Sequence, residues 1–367
     1  MPDTPWGSDS WLIRRGVKRV IQFHVDHYEP GRKDRGGNVM GLEHVNSWLK
    51  DTAQLPWGVK ASLIYKSMWL TKIPPEAAAN RREKGIPVWE VGGTDFGVHS
   101  FGEDTEIVQA LVAAQRDFHI HVHHEHWTSG TLTKTPVDGK TDALKLDTML
   151  GWLLERYRNM GVPIEDWGFV HGAWALQGSD TNICNITNEI EILHKHGCIG
   201  DFTFPAGRPW CDPMLKVPHT VLPVHGHKAY DTNAAKPLRL ERGAHAFTPD
   251  RFLIWSTPLH TNFSSLDNVT RQFLGKDQKE LLAMSNRAVG EVFQHSPVID
   301  GTLYYKTHAH SLKDSYWRNT TDHESPLTSV PVRQLFRHLN SHCRDYGVPM
   351  EFKTLREVMV ELREVDR

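Results

Sequence analysis

The stretch FHIHVH, Phe118 to His123, decides how the rest of the chain is read: Phe118, Ile120 and Val122 alternate with His119, His121 and His123. Successive side chains of a strand point to opposite faces, so this run is a strand with one apolar face and one face of three imidazoles. RVIQFHVD, Arg19 to Asp26, repeats the division. Ile21, Phe23 and Val25 alternate with Gln22, His24 and Asp26, and the reading puts the apolar set beneath helices and His24 with Asp26 on the functional face. Outward from these two strands the pattern becomes helical. Ser100 and Glu103 have capping-box spacing before Ile107, Leu111 and Ala114, and a longer stripe, about 143 to 160, stops at Gly161. A third helix, near 186 to 196, ends at Gly197.

Strand-like runs follow: GFVHG at 168–172, DFTF at 201–204, FLIWST at 252–257 and LYYKTHAH at 303–310. The last of these comes after a helix near 278–293, and a helix at 332–343, a short EFK strand and a final helix close the chain. Such alternation predicts an α/β fold with a parallel sheet, and the polar inner faces favour a barrel. The stretches 28–98 and 205–250 read as long loop insertions in a single domain spanning 1–367.

Composition narrows the function. There are 42 Lys+Arg against 44 Asp+Glu, a formal charge of −2, which speaks against a nucleic-acid binder working through a basic surface. No run reaches the roughly 18 apolar residues of a membrane span. The first twenty residues have three arginines and no apolar core, so no secretory signal is expected and the cytoplasm is the default. Four cysteines, Cys184, Cys198, Cys211 and Cys343, lack CxxC spacing, which points away from a disulfide scaffold or a cysteine zinc knuckle.

The 23 histidines are the unusual entry, five of them within HIHVHHEH at 119–126. An H-x-H pair on a strand aims two imidazoles the same way at a spacing one ion can bridge. His121 and His123 are therefore candidate metal ligands, with Asp26, and His24 or His27, supplied by the first strand. Neutral imidazole suits Zn, Fe, Ni, Co or Mn. His171 and Asp201 end the next two strands and belong, on the barrel reading, at the same mouth. Trp174 offers an apolar platform for a sugar ring, and His308 with His310 are candidates for a late general acid.

IHVHHEH at 120–126, FVHGAWALQGSD at 169–180, CNITNEIEILHKHGCIGDFTFPAG at 184–207 and KTHAHS at 306–311, with the closing EFKTLREVMVEL, together resemble the polysaccharide-deacetylase-like proteins of the NodB homology class, in a bacterial surface-polysaccharide branch. The resemblance implies a distorted (β/α)7 barrel, one divalent metal, most readily zinc, and hydrolysis of an N-acyl group, acetyl first, from an amino sugar. On that reading Asp26, His121 and His123 hold the metal. His27 or Asp201 accepts the proton of the metal-bound water, His308 protonates the departing amine, and His171 and Trp174 contact the carbohydrate. The chain departs from the family pattern where Asp26-His27 replaces two adjacent aspartates and H-x-H replaces H-x-x-x-H. Two alternatives stand beside it. HVHHEH at 121–126 is one substitution from the HxHxDH pattern of dinuclear metallo-β-lactamase-fold hydrolases, with LPVHGH at 222–227 as a later motif; and a barrel that binds glycans without turnover would tolerate the altered first strand.

Overall fold

A computed structural model of the chain describes residues 10–28, 42–53, 61–91, 93–98, 103–123, 127–128, 131–132, 139–181, 183–208, 210–240, 247–273, 275–312 and 329–364. Its central sheet is built from seven strands: β1 (Arg19–Tyr28), β2 (Ala61–Lys72), β3 (Phe118–His123), β4 (Trp167–His171), β5 (Cys198–Asp201), β6 (Phe252–Ile254) and β7 (Thr302–Leu312). They pair in parallel in chain order from β1 to β6, and β7 returns to pair in parallel with β1. A late strand, β8 (Met350–Lys353), adds to the lower half of β1, from Val20 to Phe23.

The sheet curls. In a flat sheet the end of β5, four strands from β1, would lie roughly 19 Å away, yet the rings of Phe23 and Phe202 are 6.3 Å apart and Phe23 meets Trp255 edge-on at 5.0 Å. The side chains of β6 and β7 meet as well, with Trp255 and Tyr304 at 6.1 Å. Between those two edges the backbone link among the described residues is the parallel bridge Ser265–His308, so the ring of strands is not closed by a continuous ladder.

Helices cover the convex side. Between the strands run α1 (Leu42–Ala53), α2 (Glu103–Ala113), α3 (Gly139–Asn159), α4 (Glu189–Lys195), α5 (Leu266–Phe273), α6 (Gln278–His295) and α7 (Val330–Asp345). Their apolar stripes, among them Leu146, Leu150, Ile190, Val292 and Leu335, share one core with Phe118, Ile120, Val122, Phe169 and Leu303 of the sheet. A second core fills the concave side: Ile21, Phe23, Val25, Val170, Ile199, Leu253, Trp255 and Tyr304. Its lower end is plugged by α8 (Leu355–Glu364), whose Leu355, Val358, Met359 and Leu362 join that cluster. Gly168 makes room for the plug, because a Cβ there would come within 3.1 Å of Leu355 and 3.2 Å of Phe202.

Two expectations are corrected. The stretch 28–98 is no loop excursion: it carries α1, the barrel-type strand β2, a helix Pro75–Glu83 and an antiparallel pair, Val88–Val91 with Thr94–Val98. A register shift between Lys66 and Met68 breaks the parity of β2, which is why its sequence lacks clean alternation. On β1 the faces are the reverse of the expected ones. Ile21, Phe23 and Val25 turn to the concave core, while Gln22 and His24 lie buried on the other side, where both meet the Thr307 hydroxyl of β7 at 2.7 and 2.9 Å. The described part of 205–250 contains short 3-10 turns and two short antiparallel strands, His219–Val221 and Leu238–Arg239. No described helix is long and apolar enough to cross a membrane, and none of the four cysteines forms a disulfide.

Candidate functional site

Three imidazoles gather where β1, β3 and β7 reach their C-terminal ends. His27 follows Ile21, Phe23 and Val25 on the concave face, and its ring lies flat against that of His121, centroids 5.1 Å apart and planes 4° from parallel. His308 sits 6.5 Å from His27. A carbonyl oxygen can only accept, so the 2.5 Å contact from His121 Nδ1 to Val170 O puts the proton on Nδ1 and makes Nε2 the ring's acceptor nitrogen. His123 is the next position of the same parity on β3, its backbone opposite Trp69, and its side chain falls outside what the structure describes. His124, Glu125 and His126 lie outside the described residues.

Below the imidazoles is a cavity of about 160 Å³, lined by His27, His308, Lys306, Trp174, Thr203 and Arg271 among others. Lys306 alternates with His308 on β7 and is buried; its ammonium donates to the carbonyls of Phe202 and, at 2.9 Å, Phe204. Burial lowers its pKa, opposed by the charge of Asp201. Asp201 on β5 is pushed the other way: burial raises its carboxyl, against hydrogen bonds from the Thr203 hydroxyl at 2.6 Å and the Thr203 N–H at 3.1 Å and the charge of Lys306. Thr203 in turn accepts the His171 N–H at 2.8 Å, tying the ends of β4 and β5 together.

Trp174 forms part of the wall at the mouth. It belongs to an elbow, 172–178, in which Ala173, Trp174 and Gln177 all take positive φ (50°, 64° and 52°), a region unfavourable for residues with a Cβ. The strain is held by Gln177, whose side-chain amide donates to Thr187 O and Val224 O at 2.6 and 2.8 Å and accepts from Ile190 N–H at 2.8 Å. Arg208 lies 4.5 Å over the Trp174 ring and 5.7 Å over Trp210, which is 53% exposed.

The expected residues thus separate. His27, His121, His308 and Trp174 come together at one mouth. Asp26 does not join them: it has the parity of Gln22 and His24, its carboxylate 3.7 Å from His24 Nε2, because the concave side of β1 is taken by apolar residues. Asp201 lies under the rim, locked to Thr203 and off the cavity lining. His171 has the outward parity of Trp167 and Phe169; it is buried with Nε2 3.3 Å from Glu189 Oε1, away from the cavity. His225 of LPVHGH is at the surface beside Glu191, remote from the mouth lining. His119, lowest of the β3 histidines, is structural: Nδ1 accepts Gly168 N–H and Nε2 donates to Asp117, both at 2.9 Å. Burial would raise the Asp117 carboxyl, but His119 and Arg356 together hold it well below the usual range. Lys306 was the legible omission, since it shares the alternation of His308; Arg271, on a short helix, carries no local signal.

Among the described residues, the one group of three histidine, cysteine or acidic side chains whose ligand atoms lie within 4.8 Å of one another is His171, Cys184 and Glu189. Searches against known proteins gave no matching family model and no matching curated protein. A solved structure described as the crystal structure of PuuE allantoinase aligns with 99% of this chain and 98% of its own, at 12% identity and a TM-score of 0.39.

Proposed function

We propose that the chain is a metal-dependent hydrolase of a C–N bond that removes an N-acyl group, acetyl first, from an amino sugar of a surface polysaccharide or its precursor. The observation that supports it is the meeting of His27, His121 and His308 over one cavity at the C-terminal rim, where α/β enzymes with parallel strands in chain order place their chemistry. The donors suit a divalent ion in kind, two adjacent imidazoles, one with its tautomer set by Val170 O, whose rings would turn out of their stacked arrangement to aim both lone pairs at it. His27 and His121, with His123 as the third ligand, would hold it; zinc suits this donor set first, with Fe, Co, Ni or Mn also served. When bound, such an ion supplies Lewis acidity and a water of lowered pKa.

The chain's own groups do the rest. His308, on the strand paired with β1 and 6.5 Å from His27, holds the proton that the leaving amine takes. Lys306 lines the cavity beneath the place of the acyl group, and Asp201 orients Thr203 at the cavity floor. Trp174 presents an aromatic face to the sugar's C–H groups. The ligand set replaces Asp26 by His27, which retains the divalent charge at the site more fully and makes it a stronger electrophile toward an amide carbonyl.

Acetate release from N-acetylglucosamine oligomers by zinc-loaded protein tests the reading. The double variant His27→Ala/His121→Ala is expected to lose about one metal equivalent and at least about a thousandfold in kcat/KM with an unchanged circular dichroism spectrum. Unchanged metal content and turnover in the variant would refute it. Saturable oligosaccharide binding by the native protein, with no acetate released under any of the five metals, would replace it with the glycan-binding reading.

A further inference from the structure

We propose that His171, Cys184 and Glu189 hold a structural divalent ion of zinc type that pins the strained elbow carrying Trp174. This site is separate from the rim imidazoles and stands whether or not they bind metal. It lies on the convex side of β4, and all three side chains are buried, at 1%, 2% and 0% exposure.

Geometry points to a cation among them. Zinc bonds to nitrogen and oxygen of about 2.0–2.1 Å at the tetrahedral angle set the two ligand atoms roughly 3.3 Å apart. His171 Nε2 and Glu189 Oε1 are 3.3 Å apart, whereas a charge-assisted hydrogen bond closes to about 2.7–2.9 Å. The Nδ1 of His171 lies beside the Gly172 carbonyl and 3.2 Å from the Ala175 N–H. Ala175 N–H donates to Nδ1, so the other ring nitrogen, Nε2, carries its proton toward the Glu189 carboxylate, and a divalent ion takes that place by displacing the proton. Cys184 adds a soft ligand of the kind zinc favours, brought back toward the strand by its N–H bond to Asp180 O at 2.9 Å.

The fold gives the ion a task. His171 and Glu189 bracket the elbow in which Ala173, Trp174 and Gln177 have positive φ, and Glu189 Oε2 also accepts the Gln177 N–H at 2.6 Å. A metal fixed to both ends of this segment would hold the strained backbone and hence the Trp174 side of the cavity wall.

Cobalt substitution of the full chain reads the site through its sulfur. After demetallation and reconstitution with Co²⁺, the native protein is expected to show the near-ultraviolet thiolate-to-cobalt charge-transfer band, retained in His27→Ala/His121→Ala and lost in Cys184→Ser. Glu189→Gln keeps the thiol and is expected to weaken Co²⁺ binding about tenfold or more in competition with a chelator, which keeps the test open if Cys184→Ser fails to fold. No such band in the native protein, its persistence in a folded Cys184→Ser, or unchanged affinity in Glu189→Gln would each overturn the site.

Discussion

β1 and β3 carry the same alternation of apolar and polar residues, yet they face opposite ways. On β3 His119 and His121 look into the concave side and Phe118, Ile120 and Val122 pack under helices; on β1 it is Ile21, Phe23 and Val25 that look inward, while Gln22 and His24 are buried outward. Alternation determines which residues share a face and leaves open which side that face meets. Neighbours decide. On β7, Thr307 points outward and offers its hydroxyl to both Gln22 and His24, so the polar face of β1 is satisfied away from water. The lower concave side is apolar, occupied by Trp255, Tyr304 and the plug helix α8, and the only imidazole of β1 at the mouth is the one that follows the apolar set, His27.

The contrast can be broken at its apolar end first. Phe23→Ala is expected to lower stability by about 4 kcal/mol in urea unfolding, as for a large aromatic removed from a packed core; a loss under about 1 kcal/mol would mean that Phe23 does not sit against Trp255 and Phe202. The helix layer on the convex side gives the next effect, through acid. Burial pushes His342 of α7, 3.0 Å from the Ser10 hydroxyl, down to about 4. A folded pKa below the unfolded value of about 6.5 means that the unfolded chain takes up the proton first. Stability is therefore expected to fall as pH drops from about 6.5 to about 4, by up to about 3 kcal/mol, and then to level. Thermal unfolding across that window checks it, and a flat profile, or the same slope in His342→Gln, would contradict it.

Thr307→Val tests the polar face of β1 itself. It leaves Gln22 and His24 without their shared hydroxyl, and about 2 kcal/mol is expected to be lost, more than an exposed threonine would cost. The smallest effect is the most specific: a double-mutant cycle on Phe23 and Trp255 is expected to give a coupling of about 1 kcal/mol, and zero coupling would put β1 back in the orientation its sequence suggested.

Much of the fold was legible because strands and helices leave periods in the sequence. β3 falls on 118–123 as read, the long helix, the helix after Asp277 and the closing strand and helix lie within a few residues of their expected places. β2 was hidden by its own bulge, and α5 by being short and marked mainly by tertiary contacts. At the site, the strand ends place His121, His308 and Trp174 at one mouth, whereas Asp26 and His171 turn away from it for one reason: one-residue parity at the end of a strand turns a rim group into a buried one. Lys306 escaped because a lysine in a strand reads as a solvated edge until the opposite wall is known to be carbonyls.

The pairing of β1 with β7 and β8 has a consequence in time. Residues 19–28 acquire their neighbours at 302–312 and 350–353 only after the whole of the intervening chain has been made. On the ribosome, β1 waits with an unfilled edge until then, and its apolar face has no plug until α8 emerges. The decisive step of folding therefore waits for these late strands, is slow by the length of the loop it must close, and depends on whatever shields an apolar strand in the meantime.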